Sequence, residues 1–250
     1  MAWKETIEQH FPGAMPGPEF TKKVIAHLDG KEGFTPENTV FGHSTCPDEI
    51  NRGVTTFGDH YGESFTMGGL SGYPFTGKTG YAAFSHHAPD NEGTPRLMIL
   101  YGPHIGITES GELGKFQRRG MSHETTACGS LVGAYNQLRE FWDKNKVYTQ
   151  AGDSKDQQQE WVGTLLTRKF PQIVSADFPI KEATMVMAHA TDNAVLEIVQ
   201  DPNASFTGLV ALVGGVQINT PNGNDNYFLA QRFAIYNPGT GEMKDLMHAL

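Results

Sequence analysis

The chain contains 250 residues and carries a formal net charge of −9, from 19 lysines and arginines against 28 aspartates and glutamates. This acidic balance, without any basic run, argues against a nucleic-acid-binding protein. No apolar run approaches the roughly 18 residues that span a bilayer, and the first residues, "MAWKETIEQHF", lack the apolar segment of a secretory signal. We therefore expect a soluble, cytoplasmic protein with one domain over residues 1–250 and neither a membrane nor a nucleic-acid partner.

The first 37 residues predict an N-terminal helical arm. One helix is expected near Trp3 to His10 and a second over "EFTKKVIAHLDG", with the Pro/Gly-rich break "FPGAMPGP" between them. "NTVFGHST" then predicts a strand, and "CPDEINRGVTTFGDHYG" predicts a helix that begins directly after Cys46.

A glycine- and aromatic-rich loop is expected from Gly62 to Gly80. It contains "GYPFTGKT", which fits the phosphate-loop pattern G-x-x-x-x-G-K-[ST]. A nucleotide site needs a buried strand before this motif and a helix after it, whereas the following "GYAAFSHHAPD" predicts a strand. We therefore favour a loop that bends sharply and offers apolar side chains to a substrate pocket, with nucleotide binding as the weaker alternative. The pocket residues are Leu70, Tyr73, Phe75, Tyr81 and Phe84.

The rest of the chain alternates predicted strands and helices. "TPRLMILYGPHIGIT" predicts buried strands, and "SGELGKFQRRG" predicts a surface hairpin. Helices are predicted over "CGSLVGAYNQLREFWDKNK", "DSKDQQQEWVGTLLTRKF" and "PIKEATMVMAHATDNAVLEIVQD". Two strands follow, "FTGLVALVGGVQINTP" and "DNYFLAQRFAIYNP", joined by "NGND", and a short helix is predicted over the tail "GTGEMKDLMHAL". This interleaving predicts the α/β class, with a central sheet flanked by helices.

The two cysteines, Cys46 and Cys128, both fall at predicted helix starts. If Cys46 precedes its helix, Pro47 occupies the first helical position, where its missing N–H costs nothing. The N-terminus of a helix lowers a thiol pKa and favours the thiolate, which is the form that binds metal or attacks carbon. Asp48 and Arg52, four residues apart on the same predicted helix, are expected to pair.

His104 follows the apolar strand "MILYG", at the strand end where α/β folds bind ligands. Cys46, His104 and Cys128 then make a tetrahedral metal set with one open position. A Cys₂His set from distant elements is typical of catalytic zinc, because structural zinc sites commonly use four ligands in close pairs. Two alternatives stay open: these are ordinary core residues, or one cysteine is a nucleophile with His104 as its base.

Four segments in order, "CPDEINR", "YGESFTMGGLSGYPFTGKTGYAAFSHHAPD", "MILYGPHIGI" and "ACGS", resemble the limiting-CO₂-inducible protein B family, which is similar to β-type carbonic anhydrases and is sometimes classed as theta. The resemblance is close over residues 38–136. It implies a β-carbonic-anhydrase-like α/β fold, a homodimer, and one Zn²⁺ per chain on Cys46, His104 and Cys128. It also implies reversible hydration of CO₂ to bicarbonate and a proton. Asp48 and Arg52 would be its acid and arginine pair, spaced here C-x-D-x-x-x-R rather than C-x-D-x-R.

The mechanism expected from this set is attack of a zinc-bound hydroxide on CO₂. When held by Arg52, Asp48 would accept a hydrogen bond from the hydroxide. When released from Arg52, Asp48 could occupy the fourth zinc position and close the site. His86 and His87 are expected proton carriers, because histidine titrates near neutral pH. The same family includes members that are inactive on their own, so the alternative function is an inactive zinc-binding scaffold or a bicarbonate-responsive binding protein.

Overall fold

The computed structural model describes residues 2–51, 53–89 and 94–250. Within these ranges, no helix is both long and apolar enough to cross a membrane. The α-helices are α1 (Ala2–His10), α2 (Gly17–His27), α3 (Gly53–Tyr61), α4 (Gly77–Ser85), α5 (Gly129–Asp143), α6 (Gln157–Thr167), α7 (Phe170–Val174) and α8 (Pro179–Val199). The strands are β1 (Met15–Pro16), β2 (Thr39–Thr45), β3 (Phe65–Thr66), β4 (Arg96–Gly102), β5 (His104–Gly106), β6 (Lys115–Phe116), β7 (Thr125–Thr126), β8 (Leu209–Asn219), β9 (Tyr227–Asn237) and β10 (Glu242–Asp245).

A mixed sheet forms the centre of the fold, in the order β1-β9-β8-β4-β2-β3. β3, β2, β4 and β8 are parallel neighbours, while β9 pairs antiparallel with β8, β1 and β10. The central strand "RLMILYG" is almost entirely buried, as expected for a parallel strand covered on both faces. The predicted α/β architecture, a central sheet flanked by helices, is confirmed.

Different helices pack on the two faces of the sheet, because successive side chains of a strand point to opposite faces. Met98 and Leu100 of β4 pack into a cluster with residues of α2 and α3. Leu97 and Ile99 pack on the other face with residues of α4 and α8. Each large apolar side chain buried in this way contributes about 1.5–3 kcal/mol to stability.

A third layer of helices, α5 to α8, encloses a separate apolar cluster at one end of the sheet. Leu131 and Leu138 of α5 and Leu166 of α6 are fully or almost fully buried in it. Cys46 and Cys128 belong to the same cluster. The helical layer therefore keeps water away from the two thiols.

A sharp bend between β4 and β5 sets the position of His104. Gly102 has φ +136°, and a Cβ on it would lie 1.8 Å from the carbonyl oxygen of Gly215. The β8–β9 register also shifts between Gly214 and Gly215. Glycine is required at this close approach, and such irregularities often re-aim side chains beside functional sites.

The predicted N-terminal helices are present and pack against the rest of the same chain. Trp3 and Ile7 of α1 are buried with Ile105 of β5, and β1 pairs with β9. Phe20 of α2 stacks on Phe228 of β9, with ring centroids 4.4 Å apart.

The helix predicted directly after Cys46 is wrong, because α3 begins only at Gly53. Residues 46–51 form a loop in which the Asn51 side chain donates its Nδ2–H to the carbonyl oxygen of Cys46 at 3.0 Å. A local side-chain bond of this kind competes with the helical hydrogen bonds. The argument that placed Asp48 and Arg52 on one helix face therefore fails, and Arg52 itself lies outside the described residues.

Two other local predictions are wrong. "GYAAFSHHAPD" is not a strand over its described part, because α4 covers Gly77–Ser85 and buries Tyr81 and Phe84, three residues apart, on one helix face. The predicted helix in the C-terminal tail is instead β10 followed by a 3₁₀ turn, Met247–Ala249. Pairing of β10 with β9 overrides the local preference of this segment.

Candidate metal centre

Three buried side chains from distant elements meet at the carboxyl ends of the parallel strands. Cys46 follows β2, His104 is the first residue of β5, and Cys128 is the N-cap of α5. The ligand atoms of these three residues all lie within 4.8 Å of one another. The two Sγ atoms are 3.6 Å apart, close to the separation of about 3.8 Å expected for two thiolates on one tetrahedral zinc ion.

His104 presents one ring nitrogen to this cluster and anchors the other. Its Nδ1 lies 2.7 Å from Oδ1 of Asn219. Its Nε2 is buried and, among the described residues, has no hydrogen-bond partner. Because a buried nitrogen without a partner is costly, and because sulfur and imidazole ligands suit zinc, the donor set fits a Zn²⁺ ion.

Two serine hydroxyls lie beside the Cys128 sulfur. Ser130 Oγ is 3.2 Å from Cys128 Sγ and 2.7 Å from Ser71 Oγ. Ser71 is fully buried and has φ +56°, a left-handed conformation that is rare outside glycine. The adjacent Gly72, at φ +78°, would place a Cβ 2.1 Å from the Gly102 carbonyl oxygen. This tight turn therefore holds the Ser71 hydroxyl at the thiol, as strained backbone at functional sites often does.

The pKa values of Cys46, His104 and Cys128 are shifted in different directions. The hydrogen bond with Cys128 and burial raise the pKa of the Cys46 thiol. The hydrogen bond from Cys46 lowers the pKa of Cys128, with further help from His104 and Ser130 against burial. Burial lowers the pKa of His104, but Cys128 and Asn219 outweigh it and the net pKa lies above the ordinary value. Of the two thiols, Cys128 is therefore the one that loses its proton more readily.

An acidic side chain held by an arginine completes the site. Arg118 Nη2 donates to both carboxylate oxygens of Asp48, at 3.0 and 2.8 Å, and Arg118 Nε donates to Glu49 Oε1 at 2.8 Å. Asp48 Oδ2 also lies 3.7 Å from His104 Nε2. Burial and the neighbouring Glu49 raise the pKa of Asp48, while His104 and Arg118 act to lower it.

Several of these residues were missed from the sequence. Arg118 lies in the "FQRRG" segment between β6 and β7, 70 positions from Asp48, and nothing in its spacing pointed to that carboxylate. Asn219, Ser71 and Ser130 also carried no signal. They are ordinary polar residues whose role depends on where the chain places them.

The predicted pocket residues divide between two apolar clusters. Leu70, Tyr73 and Phe75 pack partly buried against the cluster that contains Cys46 and Cys128. Tyr81 and Phe84 lie on α4, in the cluster between that helix, α8 and the sheet. The first three residues therefore border the metal centre more directly than the last two.

The phosphate-loop motif opens a helix, contrary to expectation, since α4 begins at Gly77. The residues before it form a 3₁₀ turn, Leu70–Gly72, rather than a buried strand, and Lys78 Nζ pairs with Asp201. The strand that a phosphate loop requires is thus missing from the described residues before the motif.

The two histidines expected as proton carriers lie at the surface. His86 and His87 are exposed and follow the C-terminal end of α4. The His87 ring packs edge-on against Phe65, with centroids 5.6 Å apart.

The fold and the site together describe an α/β protein with a buried Cys-His-Cys centre of the β-carbonic-anhydrase type. The family model of limiting CO₂-inducible proteins B/C beta carbonic anhydrases matches residues 14–237, and the chain belongs to this family. The comparison with curated protein sequences found no match.

Solved structures agree with this assignment. The crystal structure of PtLCIB4, a homolog of the limiting CO₂-inducible protein LCIB, is 31% identical with a TM-score of 0.88, and the match covers 98% of this chain and 100% of that chain. The crystal structure of LCIB shares the fold at 22% identity and a TM-score of 0.72, over 95% of this chain and 96% of that chain.

Proposed function

We propose that this protein is a zinc-dependent carbonic anhydrase that catalyses the reversible hydration of CO₂ to bicarbonate and a proton. The single observation that carries the proposal is the convergence of Cys46, His104 and Cys128, with their ligand atoms within 4.8 Å of one another. The family supports carbonic-anhydrase chemistry for such a centre. A three-residue set leaves one coordination position for a reacting molecule, as catalytic zinc sites do.

Cys46, His104 and Cys128 would hold the zinc ion. A zinc ion in such a site acts as a Lewis acid that lowers the pKa of a ligated water to about 7. The protein supplies the dry surroundings, because all three side chains are buried and the two cysteines pack into the apolar cluster of α5 to α8. The hydroxyl of Ser130 stabilises the Cys128 thiolate by a hydrogen bond to its sulfur.

Asp48 would orient the attacking water. Its Oδ2 lies 3.7 Å from His104 Nε2, so the carboxylate would stand near the metal ion that this nitrogen would hold. Arg118 occupies both carboxylate oxygens from the opposite side. Held in this way, Asp48 would accept a hydrogen bond from the reacting water, and Arg118 would restrain the carboxylate from becoming a metal ligand itself. In this proposal Arg118 holds Asp48; the role that the resemblance implied for Arg52 stays a prediction, because Arg52 lies outside the described residues.

The substrate wall and the proton route belong to the same proposal. Leu70, Tyr73 and Phe75 would form the apolar wall on the Cys46 side, with Tyr81 and Phe84 supporting it from α4. His86 and His87 would accept the released proton at the surface, where exchange with buffer is direct.

Zinc content and stopped-flow CO₂ hydration, measured on one purified sample with a chelator-treated portion beside it, test the function. About one zinc per chain and hydration that chelator abolishes are expected. Zinc without hydration would identify an inactive relative, a scaffold or a bicarbonate-responsive binding protein. Activity that survives the chelator but is lost to a thiol alkylator would indicate a cysteine nucleophile instead.

We also propose a homodimer in a reducing compartment such as the cytoplasm. Trp142, Trp161 and Phe178 are large apolar side chains left exposed on this chain, and a second copy could cover part of that surface. The thiols of Cys46 and Cys128 are free and must stay reduced to bind metal. Light scattering after gel filtration would measure the dimer directly.

A further inference from the structure

Asn219 is a fully buried amide next to the metal centre whose role the proposed reaction does not assign. It is the last residue of β8, in register with Gly106 of β5. Its Oδ1 lies 2.7 Å from His104 Nδ1, and its Nδ2 lies 3.0 Å from the Ile50 carbonyl oxygen and 3.3 Å from Asn51 Oδ1. Every polar atom of this side chain thus has a partner.

These contacts fix the orientation of the amide and, through it, that of the imidazole. Nδ2 faces two oxygen atoms, so it must be the donor end of the amide and Oδ1 must face His104. Because Asn219 Oδ1 can only accept a hydrogen bond, His104 Nδ1 must donate it, so the single ring proton of a neutral His104 is on Nδ1. The lone pair is then on Nε2, the nitrogen that faces Cys46 and Cys128.

The hydrogen bonds continue from Asn219 to the first cysteine ligand. Asn51 accepts from Asn219 through Oδ1 and donates through Nδ2 to the Cys46 carbonyl oxygen at 3.0 Å. A continuous path therefore runs from His104 on β5, through Asn219 and Asn51, to Cys46 after β2. The ligands that it joins lie 58 positions apart in the chain (104 − 46).

We propose that Asn219 is a positioning residue that holds His104 and the Cys46 loop at metal-binding distance. This inference rests on the proposed metal site. Outer residues that orient a metal-bound histidine typically change metal affinity by 10–100-fold. Asn219 combines that role with a link to a second ligand, so its loss releases both at once.

Asn226 provides a matched control. It also donates an amide N–H to the Ile50 carbonyl oxygen, at 3.1 Å, but it makes no hydrogen bond to His104. Zn²⁺ affinity would be measured for wild type, Asn219→Ala and Asn226→Ala by competition with a chromogenic chelator. The absorption spectrum of the Co²⁺-loaded proteins reports the ligand geometry independently of activity. Far-UV circular dichroism and metal-free melting temperatures verify folding.

Asn219→Ala is expected to weaken Zn²⁺ binding about 10–100-fold and to alter the Co²⁺ spectrum, while Asn226→Ala stays within about threefold of wild type. If Asn219→Ala does not fold, Asn51→Ala is measured in its place. This variant breaks the link to Cys46, so its Zn²⁺ affinity should fall by at least about threefold. The inference would be overturned if the folded test variant, Asn219→Ala or Asn51→Ala, bound Zn²⁺ as tightly as the control Asn226→Ala. Failure of wild type to bind either metal would instead refute the proposed function on which it rests.

Discussion

Arg118 holds two carboxylates beside the candidate metal centre. Its guanidinium is divided between Asp48 and Glu49, and a further donor reaches the Thr126 carbonyl oxygen at 3.1 Å. The planar guanidinium carries donors that point in several directions, so it can hold both carboxylates and a carbonyl at once, whereas the compact ammonium of lysine cannot reproduce this set of contacts. These bonds fix Asp48 with its Oδ2 3.7 Å from His104 Nε2, and in the proposed function they restrain it from becoming a metal ligand.

Replacing Arg118 tests this role directly. Arg118→Ala should retain about one zinc per chain yet lose roughly 10–100-fold in CO₂ hydration, because a released Asp48 can reach the open position. Arg118→Lys should recover only part of the rate. Arg119→Ala, at the exposed neighbouring position, is the control. Full activity in Arg118→Ala would show that Asp48 needs no such restraint.

Zinc affinity should depend on pH in a defined direction. The pKa values of Cys46 and His104 are both raised, and both groups must be deprotonated to bind a metal ion, so protons compete with the metal as the pH falls. Zn²⁺ binding should therefore strengthen as pH rises from about 6 to 8, by up to about tenfold per unit for each proton released. Competition titrations across this range, with the chelator's own protonation accounted for, measure the slope. A flat profile would mean that the ligands are already deprotonated.

At the scale of elements, two segments position the chain around the candidate site and the sheet: the turn between β3 and α4, and the long helix α8. The turn places Ser71 against Cys128, while α8 is joined to the sheet by a partly buried ionic contact. Tyr101 of β4 donates to Asp192 of α8 at 2.7 Å, and Arg232 of β9 holds the same carboxylate by two bonds of 2.6 Å. The helix is thereby fastened to two strands.

Gly72→Ala should destabilise the protein and disturb the metal centre. The added Cβ would clash with the Gly102 carbonyl oxygen, and the φ of +78° would also be unfavourable for alanine. Gly223→Ala is the matched control, because Gly223 has φ +86° but nothing within 4 Å of its Cβ position. We expect a loss of about 1–2 kcal/mol in the control and clearly more in Gly72→Ala, measured by urea unfolding. Equal losses would show that the turn can move aside.

Asp192→Asn should weaken the attachment of α8 to the sheet. Burial raises the pKa of Asp192, but the bonds from Arg232 and Tyr101 outweigh it and the net pKa is lowered. A lowered pKa contributes stability above the unfolded value near 4, and this stability disappears as pH falls through the folded value. At pH 7 the variant should lose about 1–3 kcal/mol, and the difference from wild type should shrink as the pH falls below the unfolded value near 4. Thermal melts across pH, with the exposed Asp143→Asn as control, measure both effects.

For the whole molecule, metal binding and folding stability should be linked, because the three ligands come together only in the folded chain. Cys46, His104 and Cys128 lie at the ends of different elements and are spread over 82 positions (128 − 46). Zinc at 1,000 times its dissociation constant should add about 4 kcal/mol, or roughly 10 °C in Tm. Calorimetry with and without zinc measures the shift. Cys128→Ser should show little of it, and an equal shift in that variant would locate the zinc elsewhere.

The sequence by itself determined the fold class, the main helices and strands, and the three residues that meet at the metal centre. Long apolar runs such as "RLMILYG" and the helical periodicity after Cys128 are local patterns, and the cysteines were too few to leave many alternative ligand sets. The helix after Cys46 and the strand over "GYAAFSHH" were wrong because short segments carry weak periodic signals.

Only the tertiary structure decided which side chains surround that centre. Arg118 reaches Asp48 across 70 positions and Asn219 reaches His104 across 115, and neither contact leaves a spacing that a local pattern can reveal. The bend at Gly102 and the register shift at Gly214 and Gly215 bring these segments together. Ligand identity is local chemistry, whereas orientation, burial and proton position depend on contacts between residues that only folding brings together.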